Sequence, residues 1–82
     1  MKNNQNLEVQ GVVVESLPNT MFRVTIDDTA PEDYATRTLL CTLSGKMRMH
    51  RIRVMPGDEV TVEITPYDKD RGRITFRKRD QR

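Results

Sequence analysis

Tryptophan is absent from this 82-residue chain, and phenylalanine and tyrosine occur only twice each. A core must therefore be built from Val, Ile and Leu, and a chain of this size buries little more than about 60% of its unfolded surface, so its stability is modest. Cysteine and histidine occur once each, as Cys41 and His50. A lone Cys41 forms no internal disulfide and fits a reducing, cytosol-like compartment, with the thiol expected as a small buried apolar group. The pair also falls short of a zinc ligand set and supplies no oriented base for a nucleophile. Long apolar runs are missing too: the longest aliphatic stretch is Val12-Val13-Val14, far below the roughly 20 residues that cross a bilayer. The polar start from Met1 to Asn6 has no apolar stretch of the secretory kind and reads as a loose tail. Gly45-Lys46 lacks the upstream Gly and following Ser/Thr of a phosphate-binding loop. Acid pairs such as Asp27-Asp28 lie in turn-like sequence. The expectation is a non-enzyme with no resident metal or cofactor and no membrane span.

What the chain has in quantity is charge, 32% of its residues, interleaved with regularly spaced apolar ones. That interleaving argues for a folded domain over a disordered one. The net charge of +2 hides an asymmetry. Residues 1–44 hold three Lys/Arg against six Asp/Glu, and residues 45–82 hold eleven against six. Such a distribution steers a polyanion towards one surface, although a solvated basic edge has the same composition.

Period-two alternation places five strands. Leu7, Val9 and Val13 point inward in the first, with Gly11 in the core-facing slot between them, where a glycine suggests a bulge or bend. Leu17-Pro18-Asn19-Thr20 is turn chemistry. Phe22, Val24 and Ile26 form the apolar face of the second strand and send Arg23 outward. An acidic, turn-rich connection follows, and then a third strand over Thr38 to Leu43 with Leu39, Cys41 and Leu43 inward. The segment from Lys46 to Val54 is too cationic for a core helix and reads as a basic loop with a helical start. Val60, Val62 and Ile64 define strand four, and Ile74 and Phe76 are the inward residues of strand five, leaving Arg73 and Arg77 on its outer face. Residues 78–82 read as a mobile tail. Five strands with an irregular segment between the third and fourth predict a single-domain, all-β OB-fold barrel, with a five-stranded sandwich as the rival.

Nucleic-acid binding is the chemistry that these residues can perform. Lys46, Arg48, Arg51 and Arg53 lie within eight residues, and cations on a loop can follow a phosphate backbone and release its counterions. Arg71, Arg73 and Arg77 extend the patch, with Arg23 on strand two. Ten Arg to four Lys suits forked phosphate contacts and stacking on unpaired bases. His50 is expected as an exposed contact, and Tyr67 as either a packing residue or an RNA contact. Met47, Met49 and Met55 are expected to pack beneath the loop. With Phe22 and Phe76 assigned to the core, few rings remain for stacking along a single strand.

Gln10-Gly11, Leu17-Pro18-Asn19-Thr20-Met21-Phe22-Arg23-Val24, Ser44-Gly45-Lys46-Met47-Arg48, Ile52-Arg53, Gly57-Asp58, Val60-Thr61-Val62-Glu63, Pro66-Tyr67-Asp68, Gly72-Arg73-Ile74 and Phe76-Arg77 together resemble bacterial-type translation initiation factor one, in order, over nearly the whole chain. The resemblance implies an OB-fold that binds the small ribosomal subunit at the decoding (A) site and blocks its premature occupancy. It implies a basic loop in the minor groove of the decoding helix of ribosomal RNA, where two adenines are displaced. That role would fall on Lys46, Arg48 and Arg53, with Arg73 and Arg77 as further contacts. It further implies a cytoplasmic or organelle-stroma protein, monomeric when free, that cooperates with initiation factors two and three and touches a neighbouring ribosomal protein. Two stretches depart from the family. The connection from Asp27 to Arg37 is longer than the usual turn, and its acids would repel RNA and face solvent or a basic protein. Met49-His50-Arg51 replaces the usual Lys, Asn and aromatic or His. Two other functions use the same residues: a general OB-fold RNA-binding protein or RNA chaperone, and a protein-interaction module built on the acidic connection.

Overall fold

The computed structural model describes residues 7–50, 53–64, 68 and 70–78. The tails expected before Leu7 and after Lys78 lie outside the described residues. Strands β1 (Leu7–Leu17), β2 (Met21–Ile26), β3 (Thr38–Leu43), β4 (Glu59–Ile64) and β5 (Arg71–Lys78) form a closed barrel in the order β1-β2-β3-β5-β4, and helix α1 (Gly45–Met49) lies between β3 and β4. Every neighbouring pair is antiparallel except β3 with β5, which run parallel. Closure pairs both edges of each strand and removes the exposed edge that a five-stranded open sheet would carry. This is the OB-fold arrangement that the strand pattern predicts, and the sandwich is excluded.

The inward set is the alternating one. Val9, Val13, Phe22, Val24, Ile26, Leu39, Cys41, Val60, Val62, Ile64 and Ile74 are buried, Leu43 partly so. Tyr34 joins them from the connection between β2 and β3, with Ala30 packed beside it. Two further side chains enter from the β3–β4 connection, Met47 and Val54.

Four expectations are corrected, two of them at bulges. Gly11 sits in an unbroken ladder opposite Ile26 and Val60, and the bulge on β1 falls at Val14, between the pairs Val13–Val24 and Glu15–Arg23. What the glycine provides is close approach: a Cβ there would lie 2.7 Å from Val24 Cγ1 and 2.8 Å from the Thr25 carbonyl oxygen. On β5 the ladder steps from Ile74–Val62 to Phe76–Thr61 and skips Thr75. One extra residue inverts every side chain beyond it. Phe76, read from sequence as core, is therefore 60% exposed on the outer face beside Thr61. Arg77, read as outward, turns to the inner side opposite the buried Val60. The third correction concerns the methionines: Met47 is buried under α1 as expected, but Met49 and Met55 are exposed. Lys78, placed by sequence at the start of the tail, is the last residue of β5 and pairs with Glu59.

Strand direction sorts the connections. The tight turn Pro18–Thr20 and the β3–β4 connection, with its α1, lie at one end of the barrel. The acidic β2–β3 connection and the β4–β5 connection lie at the other. Asp27, Asp28, Glu32, Asp33, Asp68 and Asp70 are all exposed at that second end. The acidic connection is built rather than loose. Tyr34 anchors it in the core, the Thr36 N–H donates to Ile26 O at 3.0 Å, and Arg37 bridges Asp70 at 2.8 Å.

Candidate nucleic-acid interface

Helix α1 forms because Ser44 stops β3 and starts the next turn. Its hydroxyl accepts from the Met47 N–H at 3.2 Å, while its carbonyl takes the Arg48 N–H at 3.1 Å. A side-chain oxygen at this position satisfies a helix-start donor that would otherwise be orphaned. Met47 then drops into the core and pins the helix, so that Lys46, Arg48, Met49 and His50 project into solvent. Arg51 and Ile52 lie outside the described residues, as does Tyr67. The chain returns through exposed Arg53, buried Val54 and a turn at Pro56-Gly57. Gly57, with φ of 96°, takes a left-handed conformation that suits glycine.

The cations divide into two electrical classes. Arg23 pairs with Glu15 at 3.0 Å, Arg71 lies 4.0 Å from Asp68, Arg73 pairs with Glu63, and Arg77 lies 3.8 Å from Asp58. Lys78 and Arg37 are paired as well. Among the described residues, Lys46, Arg48 and Arg53 make no side-chain ion pair or hydrogen bond. The three free cations thus belong to one connection at one end of the barrel. The sequence linked the loop cations to Arg71, Arg73 and Arg77 of strand five and to Arg23; the structure separates them, because Arg23 and Arg73 each meet a carboxylate in register on a neighbouring strand, Arg77 lies near Asp58 just before β4, and Arg71 lies near Asp68 three residues before it. Exposed pairs of this kind contribute little stability, about 0–1 kcal/mol each, but they weaken the field that the arginine presents.

Beside the free cations lies a hollow of about 320 Å³ lined by Thr20, Phe22, Leu43, Arg53, Val54 and Met55. Its wall includes the tight turn. Asn19 and Thr20 both have positive φ, 68° and 55°, a common choice for Asn but a strained one for a β-branched Thr. Sequence reasoning marked this turn without assigning it to the interface; the signal available was a Thr in a tight hairpin position normally filled by Gly.

No group of three His, Cys, Asp or Glu side chains gathers among the described residues. The one thiol is fully buried, and desolvation, opposed weakly by the Gly72 backbone, pushes the Cys41 pKa up to about 12. Its thiolate is therefore unavailable near neutrality. Iodoacetamide at pH 8 should leave Cys41 unmodified in the folded protein and label it in denaturant, read by mass spectrometry; rapid native labelling would contradict the packing. Because the folded pKa lies above the ordinary value of 9.0, the thiol has no influence on stability below pH 9. It destabilises as pH rises from there towards 12, where the unfolded chain loses the proton and the folded one keeps it.

A family model described as translation initiation factor 1A / IF-1 matches residues 1–82. The chain belongs to that family. Its members are translation initiation factors and not enzymes. The barrel is similar to the solution structure of translation initiation factor one from the Wolbachia endosymbiont strain TRS of Brugia malayi, at 36% identity and a TM-score of 0.71, over 96% of this chain and 84% of that one. It is also similar to YjeQ from Thermotoga maritima, at 29% identity and a TM-score of 0.66, over 89% of this chain but 23% of that protein. This initiation factor carries its family's fold; among its described residues the free cations lie on the β3–β4 connection, and no helix is long and apolar enough to cross a membrane.

Proposed function

We propose that this initiation factor is a monomer that binds the small ribosomal subunit at the decoding A site. Its β3–β4 connection lies against ribosomal RNA, and its body prevents premature occupancy of that site. The observation that carries the reading is the segregation of Lys46, Arg48 and Arg53, the cations without carboxylate partners among the described residues, onto one end of the barrel beside an apolar hollow. Lys46 and Arg48 on α1 and Arg53 on the return limb follow the phosphate backbone, His50 and Arg51 extend the same connection, and the hollow accommodates an unstacked base. Arg23, Arg71 and Arg73 are secondary contacts that reach RNA only by exchanging Glu15, Asp68 and Glu63 for phosphate. Tyr67 belongs to the opposite connection in sequence and is a peripheral contact. Initiation factors two and three and a neighbouring ribosomal protein complete the assembly, in the cytoplasm or an organelle stroma.

Chemical footprinting of small-subunit RNA with and without the protein tests this directly. Protection confined to the decoding helix is the expected result. Uniform weak protection along the RNA would instead favour a general RNA chaperone, a reading supported by one observation, the outward Phe76, which offers a ring for stacking on the strand face.

A further inference from the structure

The bulge at Thr75 places an arginine where an unbroken ladder would place an apolar side chain. Arg77 lies opposite Val60, with its side chain only 21% exposed, and its Nη1 donates to the backbone carbonyl of Arg53. The same nitrogen lies 3.8 Å from Asp58 Oδ2. That carboxylate oxygen in turn accepts the Met55 N–H at 2.8 Å. One guanidinium and one carboxylate therefore bracket the return limb, residues 53–58.

The far end of the limb is also sewn to β1, through the Gly57 N–H on Val13 O at 2.7 Å and the Val13 N–H on Asp58 O at 2.9 Å. The near end has no such ladder among the described residues. Among the described residues, the hydrogen bond from Arg77 is the one made to the Arg53 backbone. Arg77, alongside the buried Val54 that follows Arg53, is thus a point at which a free cation of the interface is tied to the barrel.

We propose that Arg77 is a positioning residue that aims Arg53, and that it is not itself a phosphate contact; the inference rests on the RNA-binding role given above to Arg53. The guanidinium suits the task because a planar fork can serve a carbonyl and a carboxylate together and never loses its charge, which a lysine ammonium on a flexible stem cannot reproduce. Without it, the Arg53 backbone must be ordered by the RNA at the moment of binding, and affinity falls by that ordering cost.

The test uses Arg77→Met, Arg77→Lys, Arg53→Met and the double variant Arg53→Met/Arg77→Met, with small-subunit affinity measured across a salt series. Arg77→Met is expected to bind roughly five- to tenfold more weakly at every salt concentration, with the slope of log affinity against log salt unchanged. Arg53→Met should reduce that slope by about one, as the loss of a phosphate contact does. The double variant should bind no more weakly than Arg53→Met, since an aimed residue that is absent cannot be aimed. Arg77→Lys should recover only part of the loss. A slope reduced by about one in Arg77→Met, with additive losses in the double variant, would make Arg77 a contact and overturn the inference. An Arg53→Met variant that binds like the wild type would overturn it too. Hydrogen exchange on the free protein separates this from failure of the function itself. Arg77→Met should speed exchange at the Met55 amide while the amides of β1 to β4 keep their protection, whether or not the wild type binds subunits. Loss of protection throughout would reduce Arg77 to a general stabilising residue and refute the proposal.

Discussion

Replacing Arg48 and Arg53 together by glutamate should cut affinity for the small ribosomal subunit at least a hundredfold and leave the barrel folded. Both side chains are exposed and neither has an ion-pair or hydrogen-bond partner among the described residues, so their loss orphans no buried group. Charge-assisted hydrogen bonds contribute about 1.5–3 kcal/mol each. Two of them lost amount to roughly 3 kcal/mol or more, and each carboxylate set against phosphate adds repulsion. The control is the opposite end of the barrel, where Asp27→Asn with Asp28→Asn should weaken nothing. Circular dichroism and thermal melting report the fold, and equilibrium binding to purified subunits reports the contact. Subunit binding retained by the double glutamate variant would remove the basis for the proposed interface.

Adding a single methyl group at Gly72 should destabilise the protein by about 2–3 kcal/mol, near the upper end of overpacking costs, and lower the melting temperature by roughly 10–20 °C for a domain of this size. A Cβ at that position would lie 2.4 Å from Val62 Cγ1, 3.3 Å from Cys41 Sγ and 3.4 Å from the Glu63 carbonyl oxygen. Gly72 is opposite Cys41 in the parallel β3–β5 pairing and adjoins β4, so three strands crowd the same point. Val62 is fully buried and stiff at its branched carbon, which leaves it nowhere to rotate. Gly45→Ala is the matched comparison. Nothing lies within 4 Å of a Cβ there, and the residue is in a helix, so the same added methyl should be neutral or gain up to about 1 kcal/mol. Equal losses at the two positions would mean that crowding at Gly72 is not the cause.

Alternation alone was enough to place the five strands and nearly all of their inward residues, because in a small barrel one face of every strand must be apolar. It failed at Phe76 and Arg77. The bulge at Thr75 carries no glycine or proline to announce it, and Ile74-Thr75-Phe76 reads as a regular strand until its partner is known. The division between paired and free cations was likewise invisible. Arg73 meets Glu63, and Lys78 meets Glu59, only through the β4–β5 register, which is a property of two segments and not of either alone. Tyr34 lies in the acidic turn-rich stretch, and its burial depends on that connection folding back onto the core, which no local pattern announces. By contrast, the exposure of Lys46, Arg48 and Arg53 and the burial of Met47 were legible in the sequence, because a short cationic run in a connection depends on local density alone.

The two ends of the barrel carry charge of opposite sign, acids around the β2–β3 connection and unpaired cations around α1. A small rigid body of this kind has a permanent electric dipole along its axis. Near an RNA surface the field exerts a torque as well as a pull, so the molecule is rotated into register before the first contact forms, within a distance of about 8–10 Å at ordinary ionic strength. The productive fraction of collisions with a polyanion therefore rises without any gain in contact energy, and the acidic end acts on the rate of arrival.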